Sequence, residues 1–128
     1  MTGSTHDRGV RMERCATAGT AVGRGFDRKA RDACHAFRAE ISYLGRDTKL
    51  LLYVIPSYPA HIAIRRDLPP DVENLALATA LGHILAFHDG REDYHYAPEF
   101  IPGWKPDAEY IEAKVFAEAF CRGTSEQV

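Results

Sequence analysis

A long apolar segment preceded by two prolines constrains the fold of this chain more than any other feature. The segment runs from Leu75 to Gly90 as LALATALGHILAFHDG, and the residues DLPPDVEN come directly before it. Proline and acidic residues favour the first turn of a helix and glycine favours its end, so the pattern predicts a helix from about Asp67 to Gly90. Because apolar residues lie on nearly all of its sides, this helix is predicted to be the buried centre of the domain.

Shorter patterns before this segment predict a helix and two strands. Apolar residues spaced along one helical face from Ala30 to Leu44, after an N-cap at Asp27 and before a stop at Gly45, predict the first helix. The runs KLLLYVI (49–55) and HIAIRR (61–66) are short and partly β-branched. They predict two strands joined by a proline-containing turn.

The chain after the central helix is predicted to form a loop and a last helix. Residues 91–105 mix proline, glycine and aromatic residues without a helical period, which predicts a structured loop. The aromatic residues of this loop are interpreted as a lid on the core, and the alternative is that they line a peptide-binding groove. They are Tyr94, Tyr96, Phe100 and Trp104. An apolar stripe that starts near Pro106 and fades near Cys121 predicts the last helix.

Length and charge predict a single domain with a basic leader. The chain has 128 residues, which suits one domain, and we place it at 26–121, with a flexible leader over 1–25 and a tail over 122–128. Residues 1–31 hold seven Lys or Arg against three acids, a balance of +4, whereas residues 67–128 hold four against twelve, a balance of -8. Nucleic-acid binding is therefore expected to be absent, except through the leader.

The cysteines and the first residues predict a cytoplasmic protein. Cys15, Cys34 and Cys121 are odd in number, far apart and without a CxxC pair, which favours neither a disulfide framework nor a thiolate zinc site. The N-terminus has charged residues where a signal peptide has its apolar core, and no apolar run approaches the roughly 20 residues that span a bilayer. No membrane partner is expected.

One stretch of the central helix matches a zinc-peptidase motif in part. The HExxH motif places two histidine ligands four residues apart and a glutamate base beside the first. The corresponding residues are TALGH, so His83 is in the place of the second ligand, Thr79 in that of the first ligand and Ala80 in that of the base. A histidine in an apolar helix is more often a hydrogen-bonded core residue than a metal ligand. Without further context, His83 is therefore interpreted as a core residue.

The chain resembles the ImmA/IrrE family of metallopeptidase-like proteins over about residues 45–121. The resemblance is carried by the order of a strand, an LP turn, a helix with LA and LGH, and a helix with EAxxFA. The matching residues are Leu77, Ala78, Leu81, Gly82, His83, His88, Glu112, Ala113, Phe116 and Ala117. The resemblance implies an α+β, zincin-like minimal domain, in which a small antiparallel-containing sheet packs against a central helix and flanking helices.

The departure at Thr79 and Ala80 predicts a catalytically impaired, regulatory protein-binding module. The resemblance implies a protein partner, such as a helix-turn-helix repressor in a phage or mobile element. It also implies that His83 and Glu112 are the residues of a vestigial metal site. No cofactor is expected in this interpretation. The alternative is an active zinc endopeptidase with a substituted ligand set. The substitutes would come from His88, Asp89, His95 and Glu109, although His88 lies about 140° around the helix from His83.

Overall fold

A computed structural model describes residues 3–56, 59–86, 93–96 and 108–122, and of residues 3–12, 86, 108 and 109 it describes the backbone alone. This part of the chain is an α+β fold of four helices and a mixed four-stranded sheet, which confirms the predicted class. The helices are α1 (Gly3–Gly25), α2 (Ala30–Ala36), α3 (Pro70–Ala86) and α4 (Ala108–Arg122). The strands are β1 (Glu40–Leu44), β2 (Leu52–Ile55), β3 (His61–Arg65) and β4 (Tyr94–Tyr96).

The sheet has the strand order β1-β3-β2-β4, and helices cover one of its faces. β2 is antiparallel to both β3 and β4, whereas β1 is parallel to β3. Leu52 and Val54 of β2 and Ile62 and Ile64 of β3 are buried and alternate with more exposed residues, as expected of a sheet with one covered face. The two strands predicted over 49–55 and 61–66 are therefore confirmed.

The central position of α3 is confirmed. It begins at Pro70, where the missing N–H of proline costs no helical hydrogen bond, and it packs against α2, α4, β2 and β3. Leu77, Ala78, Ala80 and Leu81 are all at most 1% exposed. The structure describes α3 to Ala86, so the predicted helix end at Gly90 lies outside the described residues.

The prediction of one helix over 27–44 is wrong in its second half. The stripe that begins at Ala30 and Cys34 is helical, but α2 ends at Ala36 and the backbone at Arg38 has a φ of 63°. This left-handed residue turns the chain away from the helix axis, and β1 then pairs with β3 over five residues. Partners about twenty residues further along the chain thus decide the conformation of Glu40–Leu44, and a local period cannot detect them.

The segment 1–25 is predicted as a flexible leader, but its residues 3–25 form α1, which packs along α4. Gly19 and Gly23 lie at the contact, where an added Cβ would be 2.2 Å from the carbonyl oxygen of Phe116 and 2.5 Å from that of Phe120, respectively. The two backbones approach this closely because glycine has no side chain. A seam of small residues does not produce the apolar period of an amphipathic helix.

Asn74 of α3 holds the corner between α1 and α2. The backbone there has φ values of 54° at Asp27 and 59° at Arg28. The Asn74 side chain accepts a hydrogen bond from the amide of Ala30 and donates one to the carbonyl of Arg28, both at 2.9 Å. It therefore satisfies two backbone groups at the start of α2 and stabilises the turn.

The predicted loop over 91–105 contains β4, so the prediction is wrong for Tyr94–Tyr96. The alternation of Tyr94, His95 and Tyr96 gives this short strand a buried face and an exposed face. The last helix is confirmed as α4. None of the helices in the described part of the chain combines the length and apolar character that crossing a membrane requires.

Cys34 is expected to be nearly inert towards alkylating reagents in the folded protein. Burial raises the pKa of its thiol from 9.0 to about 12, although the charge of Arg31 opposes the shift. At pH 8 this lowers the thiolate fraction about 1,000-fold, and iodoacetamide labelling followed by mass spectrometry would measure the rate. The partly exposed Cys121 is the control, and equal labelling rates would contradict the placement of Cys34 in the core.

The raised pKa of Cys34 also predicts a loss of stability in alkali. The thiol has a higher pKa in the folded chain than in the unfolded chain, so its contribution is fully present below about pH 9 and is lost as the pH rises towards 12. Replacement of Cys34 by alanine should remove this part of the alkaline dependence of the free energy of unfolding.

Candidate functional site

The middle of α3 presents three buried side chains where a zinc-peptidase helix carries its first ligand, its base and its second ligand. These residues are Thr79, Ala80 and His83, and their exposed fractions are 4%, 0% and 0%. Thr79 and His83 are four residues apart and lie on the same side of the helix. The structure therefore places them as the motif predicts, but water scarcely reaches them.

Three tyrosines surround His83, and we call Tyr94, Tyr96 and Tyr110 the tyrosine cluster. The Tyr94 ring is stacked on the imidazole, with 3.6 Å between ring centroids and 19° between planes. The Tyr110 ring contacts the imidazole edge-on, at 5.5 Å and 81°. The hydroxyl oxygen of Tyr96 lies 2.6 Å from Nε2 of His83, which is a hydrogen-bond distance. One nitrogen of His83 is thus engaged by a phenol.

The other two motif positions have no donor directed away from α3. The Thr79 hydroxyl donates a hydrogen bond to the carbonyl of Leu75, one turn earlier in the same helix, at 2.8 Å. This is the usual way in which a buried threonine satisfies its hydroxyl within a helix. Ala80 contributes a methyl group. Neither position offers a group that could replace an imidazole ligand or accept a proton from water.

Glu112 lies on α4, next to the point where α3 and α4 cross. At Gly82, an added Cβ would be 3.1 Å from the carbonyl oxygen of Ala113, so the glycine allows close packing of the two helices. His83 directly follows Gly82 in α3, and Glu112 directly precedes Ala113 in α4. Glu112 is 3% exposed.

The substitute ligands are not brought to His83 where the structure describes them. His95 lies on β4 between two members of the tyrosine cluster, so its side chain points to the opposite face of the sheet. There its Nε2 is 3.5 Å from Oδ1 of Asp93, and its ring packs on Tyr53 with 4.7 Å between centroids. His88 and Asp89 lie outside the described residues, as does the side chain of Glu109.

The contact of the tyrosine cluster with His83 was not predicted from the sequence. The sequence predicts that Tyr94 and Tyr96 cover the core, and it assigns Tyr110 only to an apolar stripe. The alternation YHY at 94–96 is nevertheless a signal of a strand with both tyrosines on one face. That this face meets His83 depends on the pairing of β4 with β2, which the sequence does not reveal.

The described residues do not fit a catalytic zinc ion. Such an ion needs three protein ligands and an open position, whereas the motif positions supply one imidazole, and that imidazole contacts a tyrosine hydroxyl. Within residues 3–56, 59–86, 93–96 and 108–122, no group of three or more His, Cys, Asp or Glu side chains is arranged to hold a metal ion.

Comparison of the chain with protein-family models, with curated proteins and with solved structures gives no match.

Proposed function

We propose that this chain is a degenerate, zincin-like domain of the ImmA/IrrE type that binds a protein partner without hydrolysing it. One observation carries the proposal: Thr79 and Ala80 replace the first ligand and the base, and the hydroxyl of Thr79 is bonded to its own helix. The arrangement of His83 among three tyrosines supports it further, because aromatic rings take the space around the imidazole.

The cost of these replacements to catalysis is large. A positioned general base contributes about 10²–10⁴ in rate, and alanine cannot accept a proton. A zinc ion that has lost one of three protein ligands is also held less tightly. Since both changes occur in one helix turn, the domain is proposed to have kept the scaffold and lost the reaction.

The resemblance also leads us to propose the type of partner. Proteins of this family act on or with helix-turn-helix repressors, so the partner is proposed to be a transcription regulator of that class. The regulator would be bound and not cut, and the domain would act as an anti-repressor or as a regulator in a phage or stress response. A gene for such a regulator beside the gene for this chain would identify the protein to test.

Zinc content and peptidase activity test the loss of catalysis. Protein purified without chelators is expected to contain less than about 0.1 zinc per chain by elemental analysis, and to leave an unfolded protein substrate uncut. The variant His83→Phe keeps a ring of similar size but has no nitrogen donor, and it should have the same zinc content as the unchanged protein. One zinc per chain that is lost in His83→Phe would refute the proposal.

Binding of the partner is tested separately. The helix-turn-helix regulator encoded nearby should bind to the purified protein in a calorimetric titration and should stay full-length during prolonged incubation with it. Cleavage of the regulator that stops when a zinc chelator is added would contradict the proposal and would favour the active endopeptidase.

A further inference from the structure

The outer edge of β1 carries backbone groups that point away from the sheet. The amide of Glu40 donates to the carbonyl of Ala60 at 2.9 Å, and the amide of Arg66 donates to the carbonyl of Leu44 at 3.0 Å. In a parallel ladder the residues of a strand alternate in direction, so the N–H and C=O groups of Ile41 and Tyr43 point outward. In the described part of the chain, β3 alone pairs with β1.

This edge lacks the features that usually prevent strands from pairing between molecules. Sheet edges are commonly protected by proline, lysine, a bulge or an inward-pointing charge. The strand EISYL has none of these, and its one charged residue, Glu40, has a carboxylate oxygen 3.4 Å from Nδ1 of His61 on the neighbouring strand. Ser42 and Tyr43 are exposed. As far as the structure describes the chain, the edge is therefore open to another strand.

We propose that β1 pairs with β1 of a second copy of this chain, antiparallel, about a two-fold axis that passes through Ser42. In this register Ile41 lies opposite Tyr43 of the second copy, and each residue exchanges both backbone hydrogen bonds with its partner. Four hydrogen bonds then satisfy all the outward N–H and C=O groups of Ile41 and Tyr43 in both copies. The two sheets become one continuous sheet.

The side chains of β1 are complementary to themselves in this register. Ile41 and Tyr43 lie opposite Ile62 and Ile64 in the ladder, so they point to the helix-covered face of the sheet. There each forms an aliphatic and aromatic cross-strand pair with the second copy, and Tyr43, at present 42% exposed, becomes less exposed. On the other face the two Ser42 hydroxyl groups meet at the two-fold axis.

Charges favour this register over its neighbour. With Ser42 at the axis, Glu40 faces the apolar Leu44 of the second copy, so the two Glu40 carboxylates lie far apart. A shift that places Ile41 opposite Ile41 makes the two Glu40 residues diagonal neighbours, and like charges then repel.

The dimer is expected to be weak. Pairing of two five-residue strands buries less surface than a standard protein interface, which corresponds to a dissociation constant of roughly 10 μM to 1 mM. Sedimentation equilibrium over a protein concentration series should therefore show a monomer at low concentration and a dimer at high concentration. A monomer throughout this range would overturn the proposal.

Disulfide cross-linking tests the position of the axis. In a background with Cys15→Ala and Cys121→Ala, the variant Ser42→Cys should form a covalent dimer on mild oxidation, because directly opposed residues of an antiparallel pair lie within disulfide reach. The matched control is Glu40→Cys, on the same face of the same strand. Its two copies would be about 13 Å apart and should not cross-link. Equal cross-linking of both variants would indicate random collision and would overturn the proposal.

A charge at the axis tests the interface without changing the fold. Ser42→Lys places two ammonium groups opposite each other and should weaken the dimer at least about tenfold, whereas Ser42→Thr should leave the dissociation constant nearly unchanged. Ser42 is exposed, so both variants should fold. If Ser42→Lys dimerised as well as Ser42→Thr, or if this edge bound a different protein while the chain stayed monomeric, the proposal would be overturned.

Discussion

Replacement of Gly19 by valine is expected to lower the free energy of unfolding by about 3 kcal/mol, at the upper end of the usual cost of overpacking. Any Cβ at this position would lie 2.2 Å from the carbonyl oxygen of Phe116 and 3.1 Å from Cβ of Ala119. The oxygen belongs to the backbone of α4 and cannot move as a flexible side chain does. The two helices must therefore separate, and α1 loses its contact with the domain.

Thermal and chemical unfolding would measure this effect, and Gly25→Ala is the matched control. A Cβ at Gly25, at the end of the same helix, has nothing within 4 Å, so this change should alter stability by less than about 1 kcal/mol. For Gly19→Val, a loss of about 3 kcal/mol corresponds to a decrease of roughly 10 °C in Tm. Equal stability of the two variants would show that α1 does not pack on α4 at Gly19.

Replacement of His83 by alanine is expected to destabilise the protein by about 3–5 kcal/mol, the range measured for loss of a buried ring. His83 is 0% exposed and stacks on Tyr94, so alanine leaves a cavity between α3 and β4. It also removes a hydrogen-bond partner of the Tyr96 hydroxyl. Urea unfolding monitored by circular dichroism would measure the change.

A double-mutant cycle separates the hydrogen bond from the packing of the ring. His83→Phe alone should cost about 1–3 kcal/mol, because it keeps the ring but removes the imidazole nitrogen from the partly buried Tyr96 hydroxyl. Tyr96→Phe alone should have a cost of similar size, because it removes the phenol from Nε2 of the fully buried His83. The double variant should be more stable than the sum of the two single changes predicts. Strict additivity would contradict a direct contact between His83 and Tyr96.

These two effects correspond to the two parts of the fold that sequence reasoning describes least well. The contact of α1 with α4 depends on glycine, which a search for apolar periodicity does not count. The surroundings of His83 depend on a three-residue strand within a stretch predicted as a loop. In both cases the contacting residues come from different elements. Gly19 of α1 contacts Phe116 of α4, and Tyr96 of β4 contacts His83 of α3.

Other parts are predictable because their signals are local. Prolines and acidic residues before an apolar run identify α3, and alternating or β-branched runs identify β2 and β3. The chemistry at the two motif positions can also be read from the sequence. The side chain of threonine has one hydroxyl group and that of alanine has no polar atom, whatever the fold. The residue types at those two positions support the proposed loss of catalysis.

The sequence by itself determined the buried central helix, the antiparallel strand pair, the last helix and the absence of a ligand and a base at the two motif positions before His83. The physical reason is that helical and strand periodicity, proline chemistry and side-chain donors act over a few neighbouring residues. Only the tertiary structure decided that Glu40–Leu44 is a strand, that Gly3–Gly25 is a helix against α4, and that three tyrosines surround His83. These features arise from pairing and close packing between distant segments, whose free energy depends on the whole folded chain.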